Sequence, residues 1–133
     1  MSLTERELMS VFGDAEASFQ AALKGYQLAQ RDGLLPLFCC NAVALAPLSE
    51  EMMFRGFLLP SWAKSKLGGI GAILATSILF AVVHVQYDWP AMIAIGLGGL
   101  FCAWLRLRSG SLIPPLITHI SVNMLAVVAL SFA

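Results

Sequence analysis

Two rhythms of apolar residues run along this chain, and they meet near Gly33. From Phe12 to Ala29 the apolar residues Phe12, Ala15, Phe19, Ala22, Leu23, Tyr26 and Ala29 fall at helical spacing, opposed by Asp14, Glu16, Gln20, Lys24 and Gln27. That pattern predicts an amphipathic helix, too polar to cross a bilayer and suited to its interface or to a partner surface. Beyond Gly33 the periodicity gives way to long apolar runs. Four stretches, from about Leu34 to Leu59 (interrupted by Pro47 and the Glu-Glu-Arg cluster), Gly69 to Val85, Trp89 to Leu107 and Leu112 to Phe132, each approach the ~20 residues that span a hydrocarbon core. The expected architecture is all-α: a polytopic transmembrane bundle of about four spans with an N-terminal amphipathic helix. Residues 1–33 form the interfacial segment and 34–133 the membrane core.

The joints orient the bundle. The first carries Lys64 and Lys66 and the third Arg106 and Arg108, whereas the middle one, Gln86 to Asp88, has no cation. The positive-inside rule places the first and third joints in the cytoplasm. Small residues spaced by four (Gly68, Ala72 and Thr76; Gly99 and Ala103) mark faces where helices can approach closely. Pro114 and Pro115 suit the first turn of the last helix.

Composition agrees with a membrane chain. Of the 133 residues 59% are hydrophobic and 12% charged, about half the charged share of a soluble domain. Net charge is zero, which removes the general electrostatic case for nucleic acid. The first ten residues have neither a basic nor an apolar signal-peptide region, so no cleavable leader is expected. Cys39, Cys40 and Cys102 lie in apolar runs without C-x-x-C spacing and read as small packing residues.

Against this background, the stretch LAPLSEEMMFRGFLLP stands out. Two carboxylates and a guanidinium in an apolar span cost at least several kcal/mol, a cost accepted when the groups pair and perform chemistry. Glu51 and Arg55, four apart, share a helix face and can neutralise each other. Glu50 is turned about 100° from Glu51 and must face elsewhere. Phe80 and His84, and again His119 and Asn123, repeat the spacing of four, so both histidines of the chain fall inside expected spans. A pocket between helices lined by Glu50, His84, His119 and Asn123 could hydrolyse a peptide bond. A carboxylate beside an imidazole can take a proton from water, and an amide with a second imidazole can donate to the resulting oxyanion. Glu50, His84 and His119 could equally be zinc ligands, since two imidazoles and a carboxylate make an open zinc site; residue types alone do not separate the two. A non-catalytic scaffold or immunity subunit of a larger membrane complex is the competing class. A proton-coupled transporter ranks last, because no internal repeat is present.

These residues resemble the CPBP family of CAAX prenyl endopeptidases and Abi-type bacteriocin-processing proteins. Its signatures, E-E-x-x-x-R, F-x-x-x-H and H-x-x-x-N or D, occur in order as Glu50-Glu51-Met52-Met53-Phe54-Arg55, Phe80-Ala81-Val82-Val83-His84 and His119-Ile120-Ser121-Val122-Asn123. The resemblance covers roughly Ala46 to Leu125 and implies a multi-pass intramembrane endopeptidase of a prokaryotic plasma membrane. Glu50 and His84 would activate water, His119 and Asn123 would steady the oxyanion, and Glu51, Arg55 and Phe80 would support the site. No cofactor is favoured, with zinc the alternative. Asn is a poor zinc ligand and a good oxyanion donor. The expected partners are the bilayer and a membrane-associated peptide or protein, prenylated or leader-type. With so few spans, a second copy or a partner membrane protein could supply the missing wall of the cavity. Depth poses a difficulty: counted from the cytoplasmic joints, His119 lies about seven residues into its span and His84 about fifteen, a mismatch of ~12 Å.

Overall fold

A computed structural model describes residues 3–133, with side chains from Glu16 onward. The described residues contain no strand. α1 spans Leu3–Arg31, α2 Leu35–Ala63, α3 Gly68–Val82, α4 Trp89–Ser109 and α5 Ile113–Ser131. Three of them, α2, α4 and α5, are long and apolar enough to cross a membrane. Phe57, Ile70, Leu97 and Leu125 are exposed on the outer faces, where lipid would be their solvent.

α3 departs from the expected second span. Its 15 residues cover about 22 Å against a core of ~30 Å, and it stops at Val82 rather than running to Val85. The His84 amide folds back to the Ala81 carbonyl at 3.1 Å, and the His84 ring takes the Phe80 carbonyl through Nδ1 at 2.6 Å. His84 therefore sits in the turn after α3, not within a span. Asp88 then opens α4 as its N-cap, accepting from the Ala91 amide at 2.9 Å, the usual use of a short carboxylate at a helix start.

α2 continues through both of its inner prolines, where an interruption at Pro47 was expected. An interior proline removes a donor and crowds the carbonyl four residues back. The helix accommodates this by widening into two π-turns, Asn41–Leu45 and Met52–Leu58, each just ahead of a proline. The Ala46 amide reaches the Asn41 carbonyl and the Leu59 amide the Phe54 carbonyl, five residues back in both cases. In that register the next donors belong to Pro47 and Pro60, which have none. The carbonyls of Ala42 and Arg55 are left for other partners.

Those partners come from α4 and α5. Asn123 Nδ2 donates to the Ala42 carbonyl at 2.8 Å, and Arg106 Nε donates to the Arg55 carbonyl at 3.1 Å. The second contact sets the joint between α4 and α5 deep in the bundle. Leu112 reaches the level of Gly56, where an added Cβ would stand 3.3 Å from its Cδ1. Gly56 is eight residues short of Lys64, or about 12 Å along the helix. That offset is the size of the depth mismatch between the two histidines, and it removes it.

α3 and α4 pack through the small residues expected, with Ala72, Thr76, Gly99 and Ala103 buried, and Leu59 joins Ala72 and Ala103 in the core. The stripe of α1 docks on this body. Ala22, Leu23, Tyr26 and Ala29 are half-buried, while Gln20, Lys24 and Gln27 are exposed. Tyr26 meets Phe38 edge-on at 6.0 Å, and the Ser18 hydroxyl accepts from the Asp88 amide at 3.1 Å. Phe12, Asp14 and Ala15 lie outside the residues whose side chains are described.

Candidate active site

The second π-turn turns Phe54 and Arg55 inward, and the helix just before it carries Glu50 and Glu51. Glu51 and Arg55 are both buried, and their ion pair measures 3.1 Å between Oε1 and Nη1. Arg55 also donates to the Gly99 carbonyl at 3.0 Å and lies 4.3 Å over the Phe80 ring. The approach is close at Gly99, where a Cβ would stand 3.2 Å from both Arg55 Nη2 and Phe80 Cδ1 and one of them would have to give. Glu51 has a second partner that motif spacing does not reveal: its Oε1 receives His119 Nδ1 at 2.9 Å.

Glu50 points the other way, as the rotation from Glu51 requires. Its Oε2 lies 3.8 Å from His84 Nε2 and 3.7 Å from His119 Nε2. Each ring is oriented from its far side. The Phe80 carbonyl can only accept, so His84 carries its hydrogen on Nδ1 and turns the Nε2 lone pair toward Glu50. The Glu51 carboxylate fixes Nδ1–H of His119 by the same rule. Phe80 walls the site, its centroid 4.8 Å from His84 and 5.9 Å from His119, and Tyr87 stacks beyond His84 at 6.2 Å. Three acceptors thus converge, and Glu50 Oε2 is buried without a hydrogen-bond partner. Like lone pairs face one another stably only around a proton, a hydrogen-bond donor or a cation.

Asn123 is not hydrogen-bonded to this trio. It shares the α5 face of His119, but its amide is committed to the Ala42 carbonyl through one of two hydrogens.

Zinc fits the donor types of Glu50, His84 and His119, and rings held at Nδ1 are the usual outer support of metal-ligating histidines. The gaps of 3.7–3.8 Å exceed the ~3.3 Å edge of a tetrahedron with ligands at ~2.0 Å. Among the described residues, no group of three or more His, Cys, Asp or Glu side chains forms a metal cluster as placed. An apolar groove of about 400 Å³ opens between α3 and α4, lined by Leu74, Ile78, Met92 and Leu97 among others, and holds none of these titratable groups. In the sequence Arg106 stands out only as a topological charge, and Pro60 not at all. The available signal was Pro60 standing five residues after Arg55.

The model of the Rce1-like type II CAAX prenyl endopeptidases matches residues 32–125. UPF0177 protein YxdF of Lactococcus lactis subsp. lactis (strain IL1403) is 32% identical over 94 residues, covering 69% of this chain and 50% of that protein. An Escherichia coli protein described as an uncharacterized 24.3 kDa protein is 37% identical over 84 residues, 61% of this chain and 38% of that one. The chain thus spans half or less of the length of these curated relatives. No solved structure matches it.

Proposed function

The chain belongs to the Rce1-like type II CAAX prenyl endopeptidase family, and from that premise we propose that it cleaves a peptide bond of a membrane-associated substrate, prenylated or leader-type. The observation that carries this reading is the convergence of Glu50 Oε2 with Nε2 of His84 and His119.

In the proposed reaction, a water hydrogen-bonded to Glu50 and His84 gives up a proton to that pair as its oxygen attacks the scissile carbonyl carbon. The C=O π bond opens and leaves negative charge on oxygen. The proton that the three converging acceptors need sits on Nε2 of His119, which hydrogen-bonds through it to that oxyanion, and Asn123 adds its second amide hydrogen. Collapse of the intermediate breaks the C–N bond, and the proton held by Glu50 and His84 passes to the leaving amine. Glu51 and Arg55 keep His119 oriented and cancel each other's charge in the low-dielectric interior.

Glu50, His84 and His119 would also be the residues to hold zinc, which when bound would polarise the carbonyl and ease deprotonation of water. The metal-free form is the one proposed, because it gives Asn123 a role as a donor that a ligand set does not. Purified protein in detergent, given a prenylated or leader-type peptide, should lose at least about 100-fold in turnover in Glu50→Gln and in His84→Ala. Wild-type activity should survive strong chelation. Cleavage unchanged in both variants refutes the reading. Stoichiometric zinc lost from His119→Ala, with activity of chelated enzyme restored by added metal, transfers the same residues to a metal mechanism.

A further inference from the structure

Arg106 has a second task besides marking the cytoplasmic side. Its guanidinium is half-buried and donates through Nε to the main-chain carbonyl of Arg55 at 3.1 Å. That carbonyl is vacant for a covalent reason. The π-turn Met52–Leu58 sends the Leu59 amide to Phe54, and the residue whose amide would reach Arg55 is Pro60. An unpaired carbonyl in a lipid-embedded helix costs several kcal/mol, so the wide turn persists only with a donor supplied from outside.

The turn is also what aims the site. Arg55 leaves it toward Glu51 at 3.1 Å and Gly99 at 3.0 Å, and Glu51 in turn holds His119 at 2.9 Å. We propose that Arg106 is a positioning residue, closing the carbonyl that Pro60 leaves open so that the Arg55–Glu51–His119 chain keeps its register beneath Glu50. The same device recurs one π-turn earlier, where Pro47 frees the Ala42 carbonyl and Asn123 takes it at 2.8 Å. Two prolines five residues beyond two carbonyls, each met by a side chain of the α4–α5 hairpin, make the arrangement a built feature of the fold.

The inference concerns geometry that serves the proposed proteolysis, and its test has a readout independent of cleavage. In a double-mutant cycle, Arg106→Met is placed in the wild type and in Pro60→Ala, whose restored amide can reach the Arg55 carbonyl itself. In the wild-type background Arg106→Met should lower kcat roughly tenfold with little change in KM, and lower the melting temperature in detergent by about 10 °C. In Pro60→Ala the same substitution should lower neither by more than about a third as much. If Arg106→Met does not accumulate as folded protein, recovery of folded protein in the double variant supports the proposal and its absence overturns it. An Arg106→Met penalty of equal size in both backgrounds overturns it as well, as does no penalty in the wild type. Should no variant cleave any peptide, the proposed function fails while the melting-temperature cycle still decides the role of Arg106.

Discussion

Removing Glu51 alone should harm the protein more than removing Glu51 and Arg55 together. Both residues are 1% exposed, and the carboxylate Oε1 serves Arg55 at 3.1 Å and His119 at 2.9 Å. Glu51→Leu leaves a buried guanidinium whose remaining partners are the neutral Gly99 carbonyl and the face of Phe80. An uncompensated buried charge of that kind costs ~3–5 kcal/mol, which in a chain of this size lowers the melting temperature by roughly 10–20 °C. Arg55→Met strands Glu51 and should cost a similar amount. The pair Glu51→Leu/Arg55→Met removes both charges and keeps apolar volume, so its melting temperature should return to within about 5 °C of wild type. Turnover should not return, because His119 has lost the acceptor that fixes its ring. The assay is therefore paired: thermal unfolding in detergent for the charges, peptide cleavage for the ring. A double variant as unstable as either single one refutes the buried coupling, and wild-type turnover in Glu51→Leu refutes the hold on His119.

Three further outcomes follow from the same geometry. Gly99→Ala drives a methyl to 3.2 Å from Arg55 Nη2 and Phe80 Cδ1; it should cost about 1–3 kcal/mol in unfolding measurements and lower turnover, and a neutral result would mean that the contact relaxes freely. Asn123→Ala should lower both melting temperature and turnover; adding Pro47→Ala should recover the melting temperature, by restoring a donor for Ala42, but not the turnover, and recovery of both would remove Asn123 from the oxyanion. The Ser18 hydroxyl, followed by the Ala91 amide, holds the Asp88 carboxyl below the usual carboxylate range. A depressed folded value stabilises above the unfolded one and the gain is lost as pH falls through the folded value, so acid should lower the protection of first-turn α4 amides relative to their intrinsic exchange, and Asp88→Ala should abolish that acid step.

Motif residues four apart were legible because their geometry is local. Glu51 and Arg55 had to share a face, and Glu50 had to turn away from it. The long apolar runs gave α2, α4 and α5 for the same reason. His84 was misplaced because Val82-Val83-His84-Val85 reads as a continuing apolar run. What ends the helix is a competition for one carbonyl, won by the ring of His84 over a further turn of backbone. The bond from Glu51 to His119 was not legible either. It depends on how far the α4–α5 hairpin slides along α2, and apolar periodicity carries no information about sliding. Proline misled in a specific way: Pro47 reads as a break, whereas it only deletes a donor, and the chain can widen instead of stopping.

That widening explains how so few helices can hold Glu50, His84 and His119 in one register. In lipid no hydrophobic force distinguishes one helix depth from another, and depth falls to close packing and to polar contacts. Here the two freed carbonyls act as fixed marks on α2, Ala42 on one side of Glu50 and Arg55 on the other, about 20 Å apart along the helix. Asn123 and Arg106 engage one mark each, so the hairpin cannot slide by a turn without stranding a carbonyl in hydrocarbon. His119, carried between them, is delivered to Glu50 and Glu51 by that constraint. Among the described residues nothing comparable closes the open side, where the side chains of Glu50, His84 and His119 remain 27%, 16% and 15% exposed. On the proposed reading, the chain sets Glu50, His84 and His119 by itself, and a second copy or another membrane segment would close the open side around a substrate.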